Sequence, residues 1–130
     1  MNNKIIRKIG LFLLVITLLW GPFQCLAKSD IIAPELAWQK VKDGALLVDV
    51  RTREEFDQGH LPGAINYPLH NLKAKFKAYD IPVDREVVLY CRSGRRSGVG
   101  YKALTTLGYK KLYNAGGYKT LLQAMPKELK

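Results

Sequence analysis

The run Cys91-Arg92-Ser93-Gly94-Arg95-Arg96-Ser97-Gly98 gathers one thiol, three guanidinium groups and two hydroxyls into eight consecutive positions. It follows Glu86-Val87-Val88-Leu89-Tyr90, whose apolar character predicts a short buried strand, and precedes a stretch from about Ser97 to Leu107 that reads as a helix. A cysteine at a strand tip, in a tight loop that ends on a helix, faces successive backbone N–H groups, and such groups form an anion-binding nest. The unpaired N–H groups and positive dipole end of the helix add to the same field. Arg92, Arg95 and Arg96 contribute permanent charge. All of this favours the thiolate, which is the nucleophilic form of cysteine, and suits a small oxyanion beside the sulfur. A buried cysteine acting only as a small hydrophobe is the alternative. Such a residue gains nothing from three arginines and two serines in the next six positions. The reactive reading requires a thiol that is ionised near neutral pH and reachable from solvent.

The N-terminus bears on whether that thiol is paired. Lys4, Arg7 and Lys8 precede an almost wholly apolar run from Ile9 to Trp20, then Gly21-Pro22 and Cys25-Leu26-Ala27. That layout predicts an export signal over residues 1–27, cleaved after Ala27, and hence an exported domain over 28–130. The apolar run is short for a membrane span of about 20 residues, so no membrane association is expected after cleavage; an uncleaved anchor is the alternative. Cleavage would leave Cys91 as the single cysteine, unable to form an internal disulfide. Removing residues 1–27 takes away three of the 21 basic and none of the 11 acidic residues, which leaves a formal net charge of +7. A basic domain suits an anionic small molecule or an acidic partner. Nucleic acid is not expected, because no basic-aromatic repeat or binding motif is present. Nor is a metal or other cofactor, because the histidines and the cysteine lack ligand spacing.

The remaining segments must position the loop. Ile31-Ile32 reads as an entry strand. Pro34 and Glu35 open a helix whose apolar stripe is Leu36, Ala37, Trp38 and Val41, with Trp38 in the core and Asp43-Gly44 at its end. Ala45 to Val50 is a nearly continuous apolar run, as in a strand buried on both faces. Thr52 and Glu55 have capping-box spacing for a short helix. Gly59 to Ala64 is a turn cluster and Ile65-Asn66-Tyr67 a short strand. Leu72, Phe76 and Tyr79 mark an amphipathic surface helix. After the cysteine loop, Val99, Ala103, Leu104 and Leu107 form the expected buried stripe, and Gly98 and Gly100 allow close approach to the sheet. Lys111 to Asn114 reads as a last strand, Ala115-Gly116-Gly117 as a turn, and Tyr118 to Met125 as a final helix.

This alternation predicts an α/β domain with a mostly parallel sheet of about five strands and helices on both faces. Ligands bind such sheets outside the carboxyl ends of the strands, where Cys91 falls. Asp49, Arg51, Glu55 and His60 lie at a comparable strand end and invite a catalytic reading. We read them as structural: Asp49 and Arg51 satisfying each other and the backbone, His60 tying the turn.

Two separated motifs now converge. Asp49-Val50-Arg51, Glu55-Phe56 and Gly59-His60-Leu61-Pro62-Gly63-Ala64-Ile65-Asn66 form one; Cys91 to Gly98 forms the other; Asn114-Ala115-Gly116-Gly117 is a weaker third. In this order they resemble the rhodanese domain and span nearly all of residues 31–125. The resemblance implies a rhodanese-like α/β fold and a persulfide-forming Cys91. Its thiolate would take the outer sulfur of thiosulfate, release sulfite, and pass the sulfur to cyanide or a thiol by covalent catalysis. Loop N–H groups around Gly94 would hold the anionic persulfide. Arg92, Arg95 or Arg96 would meet the sulfonate oxygens, and Ser93 and Ser97 would donate hydroxyl hydrogen bonds to the loop or the sulfur. A monomer is expected. A persulfide carrier fed by another protein is the alternative. Rhodanese-like phosphatases and arsenate reductases, which carry His-Cys, five residues, then Arg, fit less well: Tyr90 precedes Cys91 here, and Ser97 stands where that arginine would.

Overall fold

The structure, a computed structural model, describes residues 31–130. The expected export signal over residues 1–27, with its cleavage point, lies outside the described residues. Helix α1 (Pro34–Lys42) opens with proline at its start and Glu35 in its first turn. Then come β1 (Leu46–Asp49), α2 (Arg53–Asp57), β2 (Ile65–Asn66), a 3-10 turn (Leu69–Asn71) and α3 (Leu72–Ala78). The chain continues through β3 (Val87–Cys91), α4 (Arg95–Thr105), β4 (Leu112–Gly117) and α5 (Tyr118–Gln123). The capping box of α2 forms as its spacing predicts. The Glu55 N–H donates to the Thr52 hydroxyl at 3.2 Å, and the Thr52 N–H donates to the Glu55 carboxylate at 2.9 Å.

The strands lie in the order β2-β1-β3-β4, and every neighbouring pair is parallel. Ile31 adds one isolated parallel bridge to Asn114 on the outer side of β4. The expected sheet of about five strands is therefore four strands and this bridge. Pro34 commits the chain to α1 before a longer entry ladder can form.

All five residues of β3 are buried. Its side chains alternate between the faces, as pleating requires. Val87, Leu89 and Cys91 pack with Leu72 and Phe76 of α3 and Leu104 of α4. Val88 and Tyr90 pack on the other face with Ala37 and Trp38 of α1 and Leu121 of α5. Each such large apolar side chain contributes roughly 1.5–3 kcal/mol of burial. The Trp38 indole N–H donates to the Leu121 carbonyl at 2.9 Å, so its polar edge is satisfied within the core. Among the described residues, no helix is long and apolar enough to cross a membrane.

Three local expectations change. Helix α4 begins at Arg95, two residues before Ser97, because Gly94 takes φ +100° and turns the chain straight into it. The buried face of α4 is Ser97, Gly100 and Leu104, and Val99 is 51% exposed rather than part of the stripe. A Cβ on Gly98 would lie 3.3 Å from the Asn114 amide of β4, whereas one on Gly100 would press within 2.9 Å of Leu72 of α3. Finally, β4 runs on through Ala115, Gly116 and Gly117 instead of turning. Its register slips there: Leu89 lies opposite Asn114 and Cys91 opposite Gly117. This irregularity sits beside the cysteine, where bulges commonly re-aim a strand end.

Candidate active site

Cys91 ends β3 at the carboxyl edge of the sheet. The Gly94 N–H donates to its Sγ at 3.0 Å, and the Ser97 hydroxyl lies 3.6 Å from the sulfur. Burial is the largest influence on this thiol and pushes its pKa up. The Ser97 backbone N–H and hydroxyl and the N–H groups of Ser93 and Gly94 outweigh burial, and the net pKa is below the ordinary value. The loop amides thus favour the thiolate, as the nest geometry demands. Accessibility runs the other way. Cys91 is only 1% exposed, so the sulfur sits beneath its loop and not on the open surface.

Asn114 of β4 braces the loop from below. Its side-chain amide donates to the Gly94 carbonyl at 3.0 Å, while its oxygen accepts the Gly116 N–H at 3.0 Å and the Ser97 hydroxyl at 2.7 Å. The Gly116 amide fixes which end of the Asn114 side chain is oxygen. Ser97 therefore has a single proton to divide between Asn114 and the sulfur. Close glycine packing completes the frame. A Cβ on Gly94 would meet Ile31 at 2.6 Å and Gly116 Cα at 3.1 Å; one on Gly117 would meet the Arg92 carbonyl oxygen at 2.6 Å.

The three loop arginines part company. Arg96 forms a two-pronged pair with Glu55 at 2.7 and 2.8 Å. This bonding draws the Glu55 carboxyl from 4.5 down to about 2. The pair straps α4 to α2 and engages two of the Arg96 guanidinium nitrogens. Arg92 lines an open cleft with Arg51, Glu55, Gln58, Gly59, Tyr118 and Lys119. Arg95 lines a separate groove with Ser93, Gly98 and Val99.

The acidic and basic residues of the first motif hold the frame. The Arg51 guanidinium donates to both Asp49 oxygens, at 2.7–3.1 Å, and to the Gly59 carbonyl at 2.7 Å. It also lies 4.5 Å over the Tyr118 ring. Asp49 is fully buried, so this pairing compensates its charge. His60 stacks on Phe56 at 3.7 Å, and its Nδ1–H donates to the Phe56 carbonyl at 3.0 Å. Burial, the largest influence, raises the pKa of Tyr90, whose hydroxyl oxygen accepts the Leu61 N–H at 3.1 Å, so the phenol stays protonated. Among the described residues, no group of histidine, cysteine or carboxylate side chains is placed to hold a metal ion.

Sequence reasoning missed Asn114 as the brace and Lys119, Gln58 and Tyr118 as cleft residues. A polar Asn114 inside the apolar Leu112–Ala115 run was a usable signal for the first, because a buried amide needs several partners. Nothing local marks Lys119.

A strand-end thiol cradled by backbone amides at the carboxyl edge of a parallel α/β sheet is the arrangement of a rhodanese-like domain. The rhodanese-like domain profile matches residues 33–124, and the chain belongs to that family. It is 42% identical over 81 residues to the thiosulfate sulfurtransferase PspE of Escherichia coli K12, spanning 62% of this chain and 75% of that one. A sulfurtransferase of Allochromatium vinosum is 41% identical over 75 residues, spanning 58% and 68%. Among solved structures, the human single-domain sulfurtransferase TSTD1 superposes with a TM-score of 0.60 at 28% identity, covering 75% of this chain and 98% of that one. A rhodanese with anions from E. coli superposes with a TM-score of 0.58 at 37% identity, covering 64% and 95%. These relatives make sulfur transfer the general activity of the domain.

Proposed function

We propose that the protein is a thiosulfate sulfurtransferase in which Cys91 is the nucleophile. The observation that carries this is the Gly94 amide 3.0 Å from Sγ, within a loop that lowers the thiol's pKa despite burial. The Cys91 thiolate attacks the outer sulfur of thiosulfate. A bond forms between Sγ and that sulfur, the sulfur–sulfur bond of thiosulfate breaks, and sulfite leaves with the electron pair. The persulfide then gives its outer sulfur to cyanide or a thiolate, and Cys91 returns as thiolate. The loop N–H groups hold the negative charge in both states. Ser93 and Ser97 stand with Gly94 as groups beside the sulfur, and Arg92 is the loop arginine that faces the cleft.

Because Cys91 is 1% exposed, transfer includes a small opening of the loop. A donor presenting a single sulfur atom requires less opening than a bulky reagent. On this reading residues 1–27 direct export to the periplasm, and the domain acts there as a monomer.

Intact mass tests the reading. After thiosulfate exposure and desalting, the protein is expected to gain one sulfur atom, reversed by cyanide, while Cys91→Ser gains none and keeps the wild-type circular dichroism. Sulfur uptake by Cys91→Ser, or none by wild type, would overturn it. A persulfide carrier fed by another protein would fail to load from thiosulfate itself.

A further inference from the structure

The cleft beside the cysteine loop has a charge pattern that the chemistry at Cys91 does not use. It is an open space of about 440 Å³. That lies in the size range of sites for organic molecules, well beyond a small inorganic ion. Four charged groups line it, and two are already committed. Arg51 is engaged by Asp49 and Gly59, and Glu55 by both guanidinium nitrogens of Arg96. Arg92 and Lys119 have no carboxylate within ion-pair distance among the described residues. Both are exposed, and they reach the cleft from two elements. Arg92 follows the cysteine. Lys119 comes two residues after Gly117, which lies opposite Cys91 in the sheet and packs against the Arg92 carbonyl.

We propose that Arg92 and Lys119 form a two-cation clamp that makes the enzyme selective for sulfur partners bearing negative groups, with Lys119 a specificity-determining residue on α5. This deepens the sulfurtransferase reading and rests on it. The shared chemistry is an oxyanion, sulfonate or carboxylate, carried by the molecule that delivers or removes the sulfur. Arginine suits such multi-oxygen groups and lysine adds a mobile point charge. Gln58 and the Tyr118 ring supply neutral walls for the rest of an organic partner. On the acceptor side, the partner's thiolate attacks the outer persulfide sulfur. The new sulfur–sulfur bond forms on the acceptor, the bond to Sγ breaks, and its electron pair stays on Cys91. The exchange needs no external oxidant or reductant.

The experiment uses full-length protein freed of any cleaved leader, loaded with sulfur and mixed in single turnover with thiols of graded charge. Mercaptosuccinate carries two carboxylates and 2-mercaptoethanol none. The clamp predicts that wild type prefers mercaptosuccinate per unit of thiolate. Lys119→Gln should reduce that preference about five-fold, the scale of one exposed charge interaction; Lys119→Glu should reduce it further, and Lys119→Arg should restore it. The donor arm measures loading by thiosulfate over a range of salt. A wild-type rate that falls with salt more steeply than that of Lys119→Gln assigns the clamp to the donor as well. An equal preference in wild type and Lys119→Gln overturns the clamp while leaving the Cys91 chemistry intact. A wild type that never gains sulfur overturns both.

Discussion

Removing the strap between α4 and α2 should cost stability while sparing substrate affinity, and the size of the loss follows from its geometry. Arg96 grips Glu55 with two nitrogens at 2.7 and 2.8 Å, with the two side chains 32% and 30% exposed. The fall of the Glu55 carboxyl from 4.5 to about 2 sets a ceiling of about 3.4 kcal/mol, at about 1.36 kcal/mol per pH unit. Solvent screening of a partly exposed pair brings this to about 1–2 kcal/mol. For a domain of this size that is roughly a 4–10 °C fall in Tm for Glu55→Gln at pH 7. The pH dependence has a definite sign. A carboxyl whose folded pKa is depressed contributes its stability in full above about 4.5 and loses it as pH falls towards about 2. The Tm gap between wild type and Glu55→Gln should therefore be widest at neutral pH and close across that window. Calorimetry of wild type, Glu55→Gln, Arg96→Gln and the double variant, as a cycle from pH 7 to pH 2, measures the coupling directly. The same variants assayed for thiosulfate turnover should show a smaller rise in KM for Arg96→Gln than for Arg92→Gln. A Tm gap that does not vary with pH, or an Arg96→Gln KM effect exceeding that of Arg92→Gln, would refute the strap.

Two further outcomes test the cradle. Ser97→Ala removes a hydroxyl that helps lower the Cys91 pKa, so the pH profile of alkylation should move to higher pH and single-turnover loading should slow about ten-fold at neutral pH, the worth of one hydrogen bond to a charged group. Gly117→Ala is a steric test at an ordinary φ of −100°, because its Cβ would lie 2.6 Å from the Arg92 carbonyl. It should displace the loop and lower sulfur loading by more than it lowers Tm-derived stability, as kinetics and calorimetry on one preparation would show; unchanged loading would mean that the loop does not depend on this close packing.

How much of this was readable before folding depends on the range of each interaction. The apolar Val87–Tyr90 run, the Thr52–Glu55 box and the Asp49–Arg51 pair are local, and each forms as its sequence predicts. Helix α4 starts two residues before the expected Ser97 because Gly94 adopts a left-handed conformation and turns the loop directly into it. Val99 reads as inward because it is apolar, yet Ser97 and Gly100 occupy the inward positions, one beside the sulfur and the other against Leu72. Arg96 reads as a substrate ligand because it stands in the same basic loop as Arg92 and Arg95; its partner in the fold, Glu55, is 41 residues away and no local pattern announces it. The role of Asn114 likewise emerges only when β4 lies beside β3. The cleft is the extreme case, since residues from the loop after β3, from α2 and its flanks, and from α5 meet there only after the sheet has formed.

The near-complete enclosure of the sulfur carries a kinetic consequence. If Cys91 carries the proposed persulfide, this enclosure would shelter it from dissolved oxidants and from large thiols that collide with the surface. The lifetime of that loaded form would then be governed by how often the loop opens, as well as by the intrinsic reactivity of the sulfur–sulfur bond. A domain working in this way would be a timed reservoir, discharging at a pace that loop packing sets and that substitutions remote from the thiol could retune.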